Sequence, residues 1–134
     1  MFGTLAGANN LAGKNNTQIG AFYQQQFKLK GKKIDANVLA TALSVYVTTS
    51  TLAGTAGVPY GFVVTTSGLG SSTYNVGTNG AAFGLANGST LRIIDLLHAT
   101  DAASIGGVLY GGNSLLRQLA NNVYSGINSD GNIA

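Results

Sequence analysis

The sequence predicts a mainly α-helical domain with a small β-hairpin, an α+β arrangement of four to five helices packed as one domain with the hairpin inserted. Three observations predict it. Apolar residues recur at three- and four-residue spacing in separate stretches, as on one face of a helix. Between them, residues 55–86 turn rich in Gly, Thr, Ser, Val and aromatics, the composition of short strands and turns. The length of 134 residues suits one domain, 1–134, with enough chain to bury a core without disulfides.

Residues 1–16 are rich in Gly and Asn and read as a loop. Thr17 is placed to cap a first helix over about 17–30, where Ile19, Phe22, Tyr23 and Phe27 form one apolar stripe. Lys28 and Lys30 complement the dipole of its last turn, and Gly31 stops it. Asp35 opens a second helix with Val38, Leu39, Ala42, Leu43 and Tyr46 at helical spacing. Its β-branched tail, Val45 to Thr51, is prone to turn extended. Tyr60–Thr66 and Thr73–Gly77 read as the two strands of the hairpin, joined by the turn Ser67–Ser72. A third helix is expected from Ser89 or Thr90, with Ile94 and Leu97 inward. A short broken helix should follow over Asp101–Leu109, and a last one from Asn113 or Ser114 to about Ile127. The expected core is Phe22, Phe27, Leu39, Leu43, Tyr46, Ile94, Leu97, Leu116, Leu119 and Val123.

Composition narrows the chemistry. Charged residues make up 8%, against a usual share near 25%, so the surface must be wetted by Asn, Thr, Ser and Gln. Such surfaces repel one another weakly and tend to associate. With no Cys there is neither a disulfide framework nor a thiolate metal site. The net charge of +3 comes from Lys28, Lys30, Lys32 and Lys33; the remainder has three basic residues against four Asp. A cluster that narrow does not make a nucleic-acid surface, and no apolar run reaches the ~20 residues of a membrane span. The opening residues lack a signal peptide's basic start and apolar stretch, so an export signal would lie outside this stretch of chain.

The lone His98 lies three residues from both Asp95 and Asp101, near one helix face. A hydrolase would need a nucleophile such as Ser104 or Ser114 beside it. Without a nucleophile-elbow motif the group reads as a polar helix edge. Asn128-Ser-Asp130-Gly131-Asn132 resembles the middle of a calcium loop but lacks its first and last ligands, and reads as a turn. No catalytic, cofactor-binding or metal residues are therefore assigned. The candidates for ligand contact are Tyr60, Tyr74 and Tyr110, which fall off the helical stripes, together with Lys28, Lys30, Lys32 and Lys33.

Several segments taken together carry a resemblance: Ala6–Gly13, Val38–Thr48, Thr73–Gly77 followed by Gly80–Gly84, Gly107–Asn113 followed by Leu116, and Ala120–Asn128. The set resembles an uncharacterised C-terminal module of large secreted bacterial surface proteins that carry immunoglobulin-like or serine-aspartate-repeat B-like domains. The resemblance implies an extracellular location and a non-catalytic role. The function expected is a structural or interaction module that self-associates or binds other surface proteins. The alternative is a carbohydrate or cell-wall binding module using the exposed tyrosines and the lysine cluster.

Overall fold

The computed structural model describes residues 11–28 and 33–129. In chain order these form α1 (Asn16–Lys28), α2 (Ile34–Thr48), the single turn α3 (Ser50–Ala53), β1 (Thr73–Asn75), β2 (Thr90–Arg92), α4 (Ile93–Ala102) and α5 (Ser114–Ser129). Tight 3-10 turns at 58–60, 69–71, 77–83 and 109–112 fill the connections. The mainly helical class with one antiparallel strand pair is as the sequence predicts. No described helix is long and apolar enough to cross a membrane.

α1 begins one step earlier than its expected cap. Asn15, rather than Thr17, accepts from the Gln18 N–H at 2.9 Å. The Gln18 side chain in turn accepts from the Asn15 N–H at 3.0 Å, a reciprocal capping box. Asn113 caps α5 with a single bond, accepting from Leu116 N–H at 3.0 Å. Asp35 sits inside the first turn of α2 rather than at its cap. Its carboxylate accepts from Arg117 at 2.9 Å, and Arg117 also donates to the Leu109 carbonyl, tying α2, α5 and the 109–112 turn together.

α2 and α5 form the centre of the domain, and their seam is polar. Asn37 donates to Asn121 at 2.9 Å, Thr41 donates to Asn128 at 2.8 Å, and Asn128 donates back to the Asn37 carbonyl at 3.0 Å. This ladder fixes which side of α2 faces α5. Its buried side runs through Ile34, Val38, Thr41 and Val45. Leu43 and Tyr46, expected in the core, are instead exposed at 41% and 52%. The helix is apolar nearly all round, so spacing alone does not choose its inner face; the amide ladder does. Phe22, Leu39, Leu97 and Val123 are buried as expected, and Ile94, Leu116 and Leu119 pack half-buried against them. The side chain of Phe27 lies outside the described residues.

The strand pair differs from the expected hairpin in its partner. β1 pairs with β2, Thr73 opposite Arg92 and Asn75 opposite Thr90, so the second strand falls outside the predicted 55–86 insertion. The residues read as the start of the third helix are extended, and α4 starts only at Ile93. Tyr60–Thr66 is not a strand of this sheet. Thr65 docks on the end of α2: its N–H donates to Thr48 C=O at 3.0 Å and its C=O accepts from Ser50 N–H at 2.8 Å. Gly68 then lies so close to Thr49 that a Cβ there would sit 2.9 Å from Thr49 Cα. The turn signals at 67–72 therefore wrap the chain onto α2 rather than fold it back on itself. The β-branched tail of α2 behaves as its composition predicts, with Thr49 extended at φ −104°, ψ 109°.

The deepest polar feature is a chain of hydroxyls between α4 and α5. Thr100 and Tyr124 are wholly buried and Tyr110 is 4% exposed. Thr100 Oγ1 lies 3.0 Å from Tyr110 Oη and 2.6 Å from Tyr124 Oη, and Tyr124 donates to the Leu96 carbonyl at 2.9 Å. Since each hydroxyl has one proton, a single direction satisfies all three: Tyr110 donates to Thr100, Thr100 to Tyr124, and Tyr124 to Leu96.

Burial pushes both phenols above the ordinary tyrosine range near pH 10. The folded state thus keeps protons that the unfolded chain sheds. The resulting stability is fully present below about pH 10 and is lost as pH rises above it, by about 1.4 kcal/mol per pH unit for each phenol. Urea unfolding at pH 9, 10 and 11 should show this decline, and Tyr124→Phe should make it shallower, leaving the Tyr110 contribution. A stability unchanged between pH 9 and 11 would exclude the linkage.

Candidate interaction surface

Residues 36–91 contain no Asp, Glu, Lys, Arg or His. Within this uncharged half, the loop that follows α3 exposes several apolar side chains near the C-terminal end of α2. The chain leaves α3, turns through Val58-Pro59-Tyr60, and returns along Phe62–Thr66. The turn is closed by Tyr60 N–H to Gly57 C=O at 3.1 Å, Gly61 N–H to Val58 C=O at 3.0 Å, and Phe62 N–H to Gly57 C=O at 3.2 Å. It rests on α2 at Val47, whose Cγ2 would lie 2.7 Å from a Cβ on Gly57. Such a short loop has too little side chain to hide its own apolar residues. Tyr60 is 82% exposed, Val63 80%, and Leu52, Val58 and Phe62 about half. Exposed apolar clusters of this kind mark contact surfaces in soluble proteins.

Beneath Phe62 lies a groove of about 450 Å³ lined by Tyr23, Ala40, Ser44, Thr48, Leu69 and Ile127 among others. Its floor is apolar, and its hydroxyls are already committed. Ser44 donates to Ala40 C=O at 2.8 Å, and Thr48 donates to Ser44 C=O at 2.6 Å while accepting from Leu69 N–H at 2.9 Å.

The sequence-predicted contact residues do not gather on one face. Tyr60 is exposed and belongs to the surface just described. Tyr74 is half-buried on β1, with its hydroxyl where a Cβ on Gly126 of α5 would fall. Tyr110 corrects the expectation outright. It is a core residue held at φ 57°, and its hydroxyl is spent on Thr100. Its position directly before Gly111-Gly112 suggests a loop tip, but the backbone adopts a left-handed turn and the ring is buried. Lys28 is exposed in the last turn of α1 and Lys33 is half-buried before α2, whereas Lys30 and Lys32 lie outside the described residues. Lys28 shares a second groove, of about 580 Å³, with Lys14, Gln18, Gln25 and Phe22 along α1.

The polar group around His98 is taken apart by Arg92. The guanidinium forks onto both Asp95 oxygens at 2.8 and 2.9 Å, and this hydrogen bonding holds the Asp95 carboxyl below its usual range. His98 is exposed on α4, and Ser104 points back to the Thr100 carbonyl. Asn128, the expected turn residue of the calcium-like stretch, is the last rung of the α2–α5 ladder, and Asp130 lies outside the described residues.

Sequence reasoning missed Leu52, Val58, Phe62 and Val63 as surface residues because it paired Tyr60–Thr66 into a hairpin. The signal was present in the run Phe62-Val-Val64, which is continuously apolar where a half-exposed strand alternates.

No protein-family model, curated protein or solved structure matches this chain.

Proposed function

We propose that this protein is a non-catalytic interaction module of a bacterial cell surface, and that its working part is the apolar loop over the end of α2. The observation that carries this reading is the exposure of Tyr60, Phe62 and Val63 side by side on a segment without charge. A fold that hides Ile34, Ile93, Leu96 and Leu109 almost completely has the means to bury apolar side chains, so leaving this group out marks a surface made for contact. The amide- and hydroxyl-based surface and the resemblance to secreted surface modules support the extracellular setting.

The reading is tested with a photo-crosslinking amino acid placed at Tyr60 and, as control, at His98, in the protein on its native cells. Polypeptide adducts are expected from position 60 and not from position 98. Equal labelling at both positions, or no polypeptide adduct at position 60, would overturn it.

A glycan reading retains one support. The groove along α1 sets two lysines and three glutamines around the edge of Phe22, an arrangement suited to an acidic polysaccharide. A glycan array with a hit lost on Lys28→Ala would favour it.

A further inference from the structure

The segment Phe62–Thr66 makes one isolated parallel bridge, Thr65 to Thr49, and bends at Thr66, so one side of its backbone is left open. Thr65 sends its N–H and C=O toward α2, so by strand alternation Val64 and Thr66 send theirs the other way. Among the described residues the Val64 N–H and C=O, the Phe62 C=O and the Thr66 N–H have no partner. Native edges of this kind are guarded by Lys, by an inward charge, or by Pro on the strand itself. Here the nearest proline is Pro59, outside the extended stretch, and charge is absent throughout residues 36–91.

We propose that two copies of this chain pair antiparallel along this edge, with Val64 opposite its own counterpart at a two-fold axis. The proposal rests on the interaction reading above and names its partner. In that register each Val64 N–H donates to the other Val64 C=O, and each Thr66 N–H donates to the other Phe62 C=O. Val63 comes opposite Thr65 of the second copy, an apolar and β-branched pairing that suits adjacent strands.

Two features favour a second copy over an unlike chain. An antiparallel edge is self-complementary about a two-fold axis, and an uncharged one meets itself without like-charge repulsion. The exposed side chains of Leu52, Val58, Tyr60, Phe62 and Val63 offer about 600 Å² per copy, close to the ~800 Å² that a standard interface takes from each partner.

The test is sedimentation velocity on the purified chain from about 5 µM to 1 mM, with residue-resolved hydrogen exchange at both ends of the range. A monomer–dimer equilibrium is expected, with the Val64 and Thr66 amides slowing at high concentration and the Val63 amide staying fast. Val63 has no partner in its own fold, so Val63→Lys should leave thermal unfolding unchanged and weaken dimerisation at least tenfold. Val64→Pro removes the central donor and should abolish the dimer. Should that variant misfold, the exchange pattern and Val63→Lys decide alone. A chain monomeric at 1 mM, or a dimer in which the Val64 amide stays fast, overturns the pairing. If the chain is monomeric while position 60 crosslinks to a different polypeptide, the partner assignment fails and the interaction reading survives. If position 60 also yields no polypeptide, both fail.

Discussion

Thr100→Val should lower the stability of this protein by about 2–4 kcal/mol, although it changes neither volume nor helix geometry appreciably. The reason is the direction of the hydroxyl chain. Thr100 is its middle member: it accepts from Tyr110 and donates to Tyr124, and all three groups are buried. Valine leaves the Tyr110 proton without an acceptor and strips Tyr124 of a donor in a place water does not reach. Tyr110→Phe removes only the end of the chain. Thr100 then keeps its donation to Tyr124 and loses one incoming bond, a loss of about 1 kcal/mol. Thermal unfolding of the two variants checks this. A melting point roughly 10 °C lower is expected for Thr100→Val and a drop of about a third of that for Tyr110→Phe. The reverse order would overturn the central place given to Thr100.

Gly80→Ala should be at least as damaging, at about 3 kcal/mol or more, through sterics alone. Gly80 is buried in the 77–83 turn, and a Cβ there would lie 2.5 Å from the Leu85 carbonyl oxygen and 2.6 Å from that of Ala86. Both are backbone atoms, so relief requires moving the 84–88 turn. That turn carries hydrogen bonds from Leu85 N–H to Gly80 C=O and from Gly80 N–H to the Asn87 side chain, and it leads directly into β2. Gly84 provides the contrast. Its φ of +67° strains any other residue, but its Cβ would point into open space. Gly84→Ala should cost only about 1 kcal/mol. Urea unfolding of both variants separates the effects, and equal losses would mean that the 84–88 turn yields easily.

Much of this fold is legible along the chain. The helices over 16–28, 34–48 and 114–129 follow from apolar spacing, the first and last opened by Asn15 and Asn113, and within the β-branched run Val45–Thr51 the chain turns extended at Thr49 alone. The errors have a common cause. Where a segment is apolar on every side or β-branched throughout, spacing does not say which face goes inward or which strand is its partner. Leu43 and Tyr46 lost the core to Thr41 because Asn128 satisfies the threonine hydroxyl. Thr73–Asn75 chose Thr90–Arg92 because Thr65 was already bonded to the end of α2. Tyr110 reads as exposed from its glycine-rich surroundings and is buried in a left-handed turn that it shares with Gly111 and Gly112.

The sequence by itself determined the helical class, the low charge and the shortage of ionisable groups, because those depend on composition and on residues within a few positions of one another. Only the tertiary structure decided that Asn and Thr lock α2 to α5 and that Phe62–Thr66 is left with an open edge. Those outcomes depend on which distant group reaches a hydrogen-bond donor or acceptor first, a competition that local spacing does not record.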